Sequence, residues 1–304
     1  MIATKNSNDI SLIGVPLQLG ANRSGVDMGP TAIRSLNIQA RLEALGFRVR
    51  DWGDIEVNRL QNRCDSDEKL KYLAEIARVN TKLAEVVAQE MGKGRLPLVI
   101  GGDHSIAIGT IKGVLQHVNK LGVIWFDAHS DVNTEFTTTS GNIHGMSLAV
   151  LLGHGHPSLT SIGGAHKKLD PRNVVIIGAR SIDPGERLFL KEQGIRVFTM
   201  HDIDKYGMKT VMDEALERVS AGTDGFHLSL DLDGMDPREA PGVGTPVEGG
   251  ISYRESHFAM EYLHEHGALV SAEIVEVNPM LDVNNKTAKC AVDLAGSLFG
   301  ERIL

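Results

Sequence analysis

The sequence predicts an α/β fold in which a parallel eight-stranded sheet carries helices on both faces. Short apolar runs alternate with helical patterns along the whole chain, which is typical of strand–helix–strand units. Several of the runs are rich in Val and Ile and have no polar face. Strands of that kind belong to parallel sheets that are buried between two layers of helices.

Eight apolar runs are the candidate strands, because each is short and bounded by polar or turn-forming residues. They cover residues 10–15, 47–52, 96–100, 122–126, 173–177, 195–199, 226–230 and 269–275. Helical periodicity covers residues 30–45, 68–91, 105–119, 184–192, 208–219, 253–266 and 286–298. No internal repeat or Pro/Ser-rich linker divides the chain, so we expect a single domain over residues 1–304.

Composition narrows the classes of function. The formal net charge of −8 argues against nucleic acid or an anionic membrane as a partner, because either needs a basic surface. We expect a cytoplasmic protein, since the sequence has neither a signal-peptide core nor an apolar run of membrane-spanning length. Cys64 and Cys290 form no CxxC pair, which leaves a thiolate zinc site unsupported and favours reduced thiols.

Acidic and imidazole side chains follow three of the candidate strands, at the edge where parallel sheets bind ligands. Residues spaced by two point to one side of an extended chain, so the DxHxD and DxD motifs predict clustered side chains. The six candidate ligands are His104, Asp127, His129, Asp131, Asp231 and Asp233. Either motif alone is compatible with a solvated loop, and Asp103 of GGDH with a helix N-cap, but the three together favour a metal site.

Charge balance suggests two metal ions. Four adjacent carboxylates repel one another and resist ionising together, whereas two divalent cations cancel the four negative charges. The ligands are mostly oxygen and include no thiolate, which favours manganese or magnesium, and the imidazoles tilt the choice toward manganese. Zinc, iron, cobalt and nickel remain open.

Beyond these motifs, the chain from Gly14 to Gly300 resembles the arginase branch of the ureohydrolases. The matching blocks are GVDMGPTAIR, GGDHSIAIG, DAHSDVNT, TSGNIHGMSLA, SLDLDGMDP, APGVGTPV and EVNP. The resemblance implies hydrolysis of the guanidinium of L-arginine to L-ornithine and urea by a hydroxide that bridges two Mn²⁺ ions per chain. It also implies an eight-stranded parallel sheet and a homo-oligomer, either a trimer or a hexamer.

The resemblance assigns the ligands and the catalytic group. Asp127 and Asp231 are expected to bridge both ions, and the other ligands form two pairs: His104 with Asp131, and His129 with Asp233.

The implied catalytic residues are His144, Glu276 and Asp131. His144 matches a proton shuttle and titrates in a suitable range, although alone it reads as a loop histidine. Glu276 matches the guanidinium contact, because a carboxylate can grip that group through paired hydrogen bonds; alone it reads as a strand-end acid facing water. Glu273, three residues earlier, is expected to face the other side of the strand and is given no role.

Substrate recognition follows from the same resemblance. The residues it places around the amino-acid end of arginine and the guanidinium are Asn133, Thr134, Ser140, Asn142, Asp183, Glu186, Thr245 and Glu276. Hydroxyl and amide groups in the DVNT and TSGN segments can serve the α-carboxylate. Asp183 matches the contact to the α-amino group, but the Asp-Pro-Gly-Glu segment also reads as a helix N-cap with a capping box.

Two other functions stay in competition. An agmatinase would use the same metals on a substrate that lacks the carboxylate, and the DVNT and TSGN segments argue against it. A non-catalytic, metal-stabilised binding protein would have no use for His144 and Glu276.

Overall fold

The computed structural model describes residues 8–58, 68–164 and 166–304. Within these residues, eight parallel strands form one sheet in the order β2-β1-β3-β8-β7-β4-β5-β6. The strands are β1 (Asp9–Val15), β2 (Arg48–Asp54), β3 (Leu96–Gly101), β4 (Leu121–Phe126), β5 (Val174–Ala179), β6 (Arg196–Thr199), β7 (Gly225–Asp231) and β8 (Leu269–Val275). The predicted fold class is confirmed.

Helices cover both faces of the sheet, because successive side chains of each strand point to opposite sides. Ile124 and Phe126 of β4 pack in one buried cluster, and Val123 and Trp125 pack in the other. The described helices are α1 (Gly29–Ser35), α2 (Ile38–Ala44), α3 (Leu73–Gly92), α4 (Ala107–Val114), α5 (Ser147–Leu151), α6 (Pro157–Thr160), α7 (Pro184–Gln193), α8 (Met200–Ser220), α9 (Tyr253–His266) and α10 (Lys286–Leu298). None of the helices in the described ranges is both long and apolar enough to cross a membrane.

Several predicted helix bounds are wrong, and backbone conformation explains most of the differences. The helix predicted over residues 30–45 is split into α1 and α2, because Asn37 has a left-handed φ of 59°. The helix predicted over 68–91 begins only at Leu73, after Tyr72 with a φ of 55°. The helix predicted over 208–219 extends upstream into α8, across a kink at Gly207 with a φ of 78°.

Two further differences have other causes. The helix predicted over 105–119 is a 3₁₀ turn followed by α4, which ends at Val114. The short helices α5 and α6 escape prediction because one turn carries too little periodicity to be recognised. Cys290 is a buried free thiol, and Cys64 lies outside the described residues.

The register of the central strands brings their carboxyl ends to one level. Phe126 of β4 pairs with Leu230 of β7, and Asp231 of β7 pairs with Val275 of β8. On the other side of β8, Ile100 of β3 pairs with Ile274. The polar residues that follow β3, β4, β7 and β8 therefore emerge together at the middle of one sheet edge.

Candidate metal centre and active site

His104 lies at the centre of a buried group of carboxylates. Its Nδ1 atom is 3.2 Å from Oδ2 of Asp127 and 3.1 Å from Oδ2 of Asp131. The same atom is 3.0 Å from Oδ2 of Asp231. Yet this buried Nδ1 makes no hydrogen bond of good geometry. A buried nitrogen that has no hydrogen-bond partner among the described residues and faces three carboxylate oxygens fits the donor set of a metal site.

A second group adjoins the first and shares Asp127 with it. Nδ1 of His129 is 3.4 Å from Oδ1 of Asp127 and 3.1 Å from Oδ2 of Asp233. One oxygen of Asp127 thus faces His104 and the other faces His129. A carboxylate in that position can bind one cation in each group.

The electrostatics of the cluster point to missing positive charge. Burial, and next the charges of neighbouring acids, raise the pKa of Asp231 well above its usual value. Burial opposes protonation of His129, but the charge of Asp233 and the hydrogen bond with Asp127 outweigh it and raise the pKa to about 12. Without added cations the cluster would therefore hold extra protons, and divalent ions can take their place.

Turns, and not extended chain, bring the ligands together, so the geometric premise of the motif prediction is wrong. Asp131 has a left-handed φ of 51°. The amide of His129 donates to Oδ1 of Asp127 at 2.7 Å, and the amide of Asp233 donates to Oδ1 of Asp231 at 2.8 Å. A spacing of two residues suits such turns because a carboxylate can cap the amide two residues on.

Asp103 stays outside the cluster, as the N-cap interpretation requires. Its carboxylate accepts hydrogen bonds from the amides of Ser105 at 3.0 Å and Gly20 at 2.8 Å. The hydroxyl of Ser105 also donates to Oδ1, so Asp103 holds the loop that presents His104.

His144, which is partly exposed, pairs with the buried Glu276 beside the proposed metal ligands. Nδ1 of His144 lies 3.0 Å from Oε1 of Glu276, which also accepts from the amide of His104 at 2.9 Å. Burial alone would lower the pKa of His144, but the hydrogen bond with Glu276 raises it to about 9. The other oxygen of Glu276, Oε2, is buried without a hydrogen-bond partner.

Two adjoining cavities open onto these groups. The outer one, of about 410 Å³, is lined by His129, His144, Asn142 and Thr245 among others. The inner one, of about 150 Å³, also borders His129 and His144 and reaches the carboxylates of the ligands. Its wall includes five predicted substrate residues: Asn133, Ser140, Asp183, Glu186 and Thr245.

Comparison with known proteins identifies the family. The model of the arginase family matches residues 8–300. The chain belongs to the arginase family. An arginase of Brevibacillus brevis is 58% identical over 98% of this chain and 100% of its own. The crystal structure of the Bacillus caldovelox arginase superposes with a TM-score of 0.94 at 56% identity, covering 97% of this chain and 99% of that one. An Entamoeba histolytica arginase solved with L-ornithine has a TM-score of 0.90 at 36% identity, covering 97% and 99% of the two chains.

Within this arginase-family site, Asp183 has both of its predicted positions. It precedes α7, and its amide donates to Oε2 of Glu186 at 2.9 Å, as in a capping box. It also lines the inner cavity, where its Oδ2 accepts from Nδ2 of Asn133 at 3.1 Å. Burial raises the pKa of Glu186 to about 7.

Two predicted substrate residues have protein partners of their own. The hydroxyl of Thr245 lines both cavities and donates to Oδ2 of Asp233 at 2.8 Å. The hydroxyl of Thr134 accepts from the amide of Phe136 at 3.3 Å, within a turn. Thr134 is absent from the described lining of the two cavities.

The sequence analysis missed the residues that support His104. Its Nε2 lies 2.7 Å from Oγ of Ser229, which donates to Oε1 of Glu273 at 2.7 Å. On the other side, the indole of Trp125 stacks on the His104 ring, with the centroids 4.1 Å apart, and donates to Oδ2 of Asp127 at 2.9 Å. The sequence contained one signal of this support: Ser229 is a polar residue in the largely apolar run that precedes Asp231.

The strand alternation predicted that Glu273 faces away from the site. That prediction is wrong, because Glu273 contacts the serine that supports His104. Glu276 has a left-handed φ of 64°, so the alternation of β8 ends before it and no longer relates the two glutamates. Both carboxylates lie beneath the cluster, with Glu276 contacting His144 and Glu273 acting on His104 through Ser229.

Proposed function

We propose that this chain hydrolyses the guanidinium of L-arginine to L-ornithine and urea, with two Mn²⁺ ions bound per chain. The observation that carries the proposal is the unpartnered Nδ1 of His104 among three buried carboxylates, next to a second group around His129. The identity to proteins named arginase supports the reaction, and the Entamoeba histolytica relative bound to L-ornithine supports the product.

We assign the six clustered residues as the metal ligands. Asp127 and Asp231 serve both ions, and the remaining ligands divide as two pairs: His104 with Asp131, and His129 with Asp233. Cations bound there would supply a nucleophile at neutral pH, because they lower the pKa of a bound water to about 7. The oxygen-rich set with two imidazoles favours manganese.

His144 and Glu276 act on the guanidinium itself. Among the residues that the structure describes, Oε2 of Glu276 has no hydrogen-bond partner, so it can accept an N–H of the guanidinium. With a pKa of about 9, His144 is protonated at neutral pH and can give its proton to the departing amine. Asp131 serves this chemistry as a ligand whose charge also favours the protonated form of His144.

The inner cavity and the adjoining wall of the outer cavity recognise the amino-acid end of the substrate. Asp183 and Glu186 are acceptors for the α-amino group, and Asn133, Ser140 and Asn142 offer donors to the α-carboxylate. Thr134 supports this wall from its turn, and Thr245 completes it beside Asp233.

Urea release from L-arginine and from agmatine, measured side by side, tests the function. We expect kcat/KM for arginine to exceed that for agmatine by about 100-fold or more, since buried donors lose their partner when the carboxylate is missing. Equal values would favour an agmatinase and leave the dimetal hydrolase standing. No urea from either substrate, with both metals bound, would make the chain a binding protein.

We also propose that the protein is a cytoplasmic homo-oligomer, a trimer or a hexamer, as the family resemblance implies. Sedimentation equilibrium at several protein concentrations distinguishes the two states from a monomer. Fractionation of the source cells tests the compartment.

A further inference from the structure

A turn just before α3 supports the loop that carries Ser140 and Asn142. The amide of Lys71 donates to the carbonyl of Gly141 at 3.1 Å. Gly141 has a left-handed φ of 72°, and a Cβ atom there would lie 1.9 Å from the carbonyl oxygen of Glu68. Only glycine allows so close an approach, so the turn and the loop form one packed unit.

The side chain of Lys71 contacts two amides at the cavity mouth. Its Nζ is 3.1 Å from Oδ1 of Asn22 and 3.3 Å from Oδ1 of Asn142. Both asparagines line the outer cavity. An ammonium group can only donate hydrogen bonds, so it engages the oxygen of each amide and leaves the NH₂ group for other partners.

This arrangement gives the cavity wall its polarity. A carboxylate can only accept hydrogen bonds, and a free amide could present either its oxygen or its nitrogen to it. With Oδ1 of Asn142 held by Lys71, the donor end of the amide is the one that remains. The ammonium also adds positive charge at the mouth, whereas Asp183 and Glu186 bring negative charge deeper in the cavity.

We propose that Lys71 is a positioning residue for the α-carboxylate of the substrate, which makes it a determinant of specificity for amino acids over their decarboxylated amines. The inference rests on the proposed function. Lys71 acts through Asn142 and through its charge, and the reacting guanidinium lies at the far end of the substrate. Its loss should therefore weaken substrate binding and leave the chemical step nearly unchanged.

The test compares Lys71→Met with the wild type on two substrates. Methionine keeps the length and the apolar stem but removes the charge and all three donors. We expect KM for arginine to rise about 10-fold with kcat little changed, as loss of a charge-assisted hydrogen bond implies. For agmatine, which has no carboxylate, kcat/KM should stay within about 2-fold, because the contact contributes nothing there. Lys71→Arg should recover most of the loss.

Lys69→Met is the matched control. Lys69 is on the same turn, and its Nζ donates to the carbonyl of Thr138 at 2.9 Å, in the same loop but not to Asn142. The Lys69→Met substitution removes an equal charge and one contact to the loop, but it leaves the hydrogen bond between Lys71 and the amide of Asn142 in place. An equal rise in the arginine KM in both variants, or a parallel loss for arginine and agmatine in Lys71→Met, would show loop anchoring only and overturn the inference.

Calorimetric binding separates this inference from the proposed function. Ornithine and putrescine differ by the same carboxylate and need no turnover. Ornithine should bind Lys71→Met about 10-fold more weakly than the wild type, and putrescine equally to both. If the wild type releases no urea but this difference appears, the function is wrong and the role of Lys71 stands. If urea is released and ornithine binds both proteins equally, only the role of Lys71 fails.

Discussion

Buried acids lie at both ends of the sheet, and the protein treats them in opposite ways. Glu90, near the end of α3, lies at the amino-terminal ends of the strands and accepts from the hydroxyl of Ser11 at 2.7 Å. Lys93 and Arg95 contact its two oxygens at 2.6 and 2.7 Å. Burial raises the pKa of Glu90, but these three contacts outweigh it and bring the pKa down to about 2.

At the carboxyl-terminal ends of the strands, four clustered acids share two imidazoles, and within the described residues no Lys or Arg forms an ion pair with them. Burial and mutual repulsion raise the pKa of Asp231 and of Asp233. A buried anion is tolerated only where positive charge or hydrogen bonds compensate it. Lys93 and Arg95 provide that compensation for Glu90, whereas the imidazoles and N–H donors of the cluster compensate its four acids only in part, which favours the binding of external cations. Glu276 is the intermediate case, because within the described residues its carboxylate contacts one imidazole, that of His144, and also accepts from the amide of His104.

The largest expected effect is at the partly compensated cluster. Asp127→Ala should lower the metal content below the proposed two ions per chain and reduce urea release at least about 1,000-fold, because in the proposed site Asp127 would serve both ions and the ions would activate the water. His104→Asn, which touches one ion, should lose less metal. Elemental analysis of the purified variants with parallel urea assays measures both. Full activity with one ion or none per chain would contradict the two-metal assignment.

Substitution at the pair of His144 and Glu276 should reduce turnover by an intermediate amount. His144→Ala removes a proton-transfer group, which typically contributes 10²–10⁴-fold, and should lower kcat by that amount while both metals stay bound. Exposed His117 provides the control, since His117→Ala removes a histidine far from the ligands and should leave kcat unchanged. Unaltered turnover in His144→Ala, with metals intact, would remove the proton-transfer role.

The sequence predicts the strands of the sheet better than it predicts the ends of the helices. The strands are predicted well, because most of them are short runs of buried apolar residues, and the bounds of β8 are confirmed to the residue although Ser271 and Glu273 interrupt its apolar run. Helix ends are predicted poorly where Asn37 and Tyr72 adopt left-handed conformations that neither residue type demands. The family is confirmed by comparison, because its motifs are local in sequence.

The contacts that support the site are not local, and this is why sequence missed them. Ser229 and Glu273 pair across β7 and β8, a register that only the folded sheet defines. Likewise, Lys93 and Arg95 are close to Glu90 in sequence, but Ser11 reaches it from β1. Residues that compensate or support a buried charge come from whichever strand the topology places beside it.

At the compensated end, Glu90→Gln should destabilise the protein without affecting metal content. The depressed pKa of Glu90 contributes stability that is fully present above its unfolded pKa of about 4.5 and is lost as the pH falls toward 2. We expect a loss of about 2–3 kcal/mol at pH 7 that shrinks between pH 5 and pH 3. Urea denaturation at fixed protein concentration, with chelator present throughout, measures the difference. A loss that does not change with pH would mean that packing, and not charge, is what Glu90 contributes.

The smallest effect should come from Ser11→Ala, which removes one neutral donor from Glu90 and keeps both cations. Ser11 is fully buried, and its hydroxyl donates to Oε2 of Glu90, which Arg95 also contacts. Because Oε2 keeps that guanidinium, the carboxylate is not left unpaired, and we expect a loss of about 1 kcal/mol at pH 7.

The same pH series distinguishes this loss from a simple packing defect. If the hydroxyl stabilises the ionised carboxylate, the cost of Ser11→Ala should also shrink between pH 5 and pH 3. Protonation of Glu90 would weaken the hydrogen bond that Ser11 donates to it in the wild type. In the Glu90→Gln background the cost should fall below that in the wild type, because a neutral amide oxygen is a weaker acceptor than a carboxylate. Fully additive losses at every pH would show that Ser11 and Glu90 act independently, and the compensation at this end of the sheet would then rest on Lys93 and Arg95 alone.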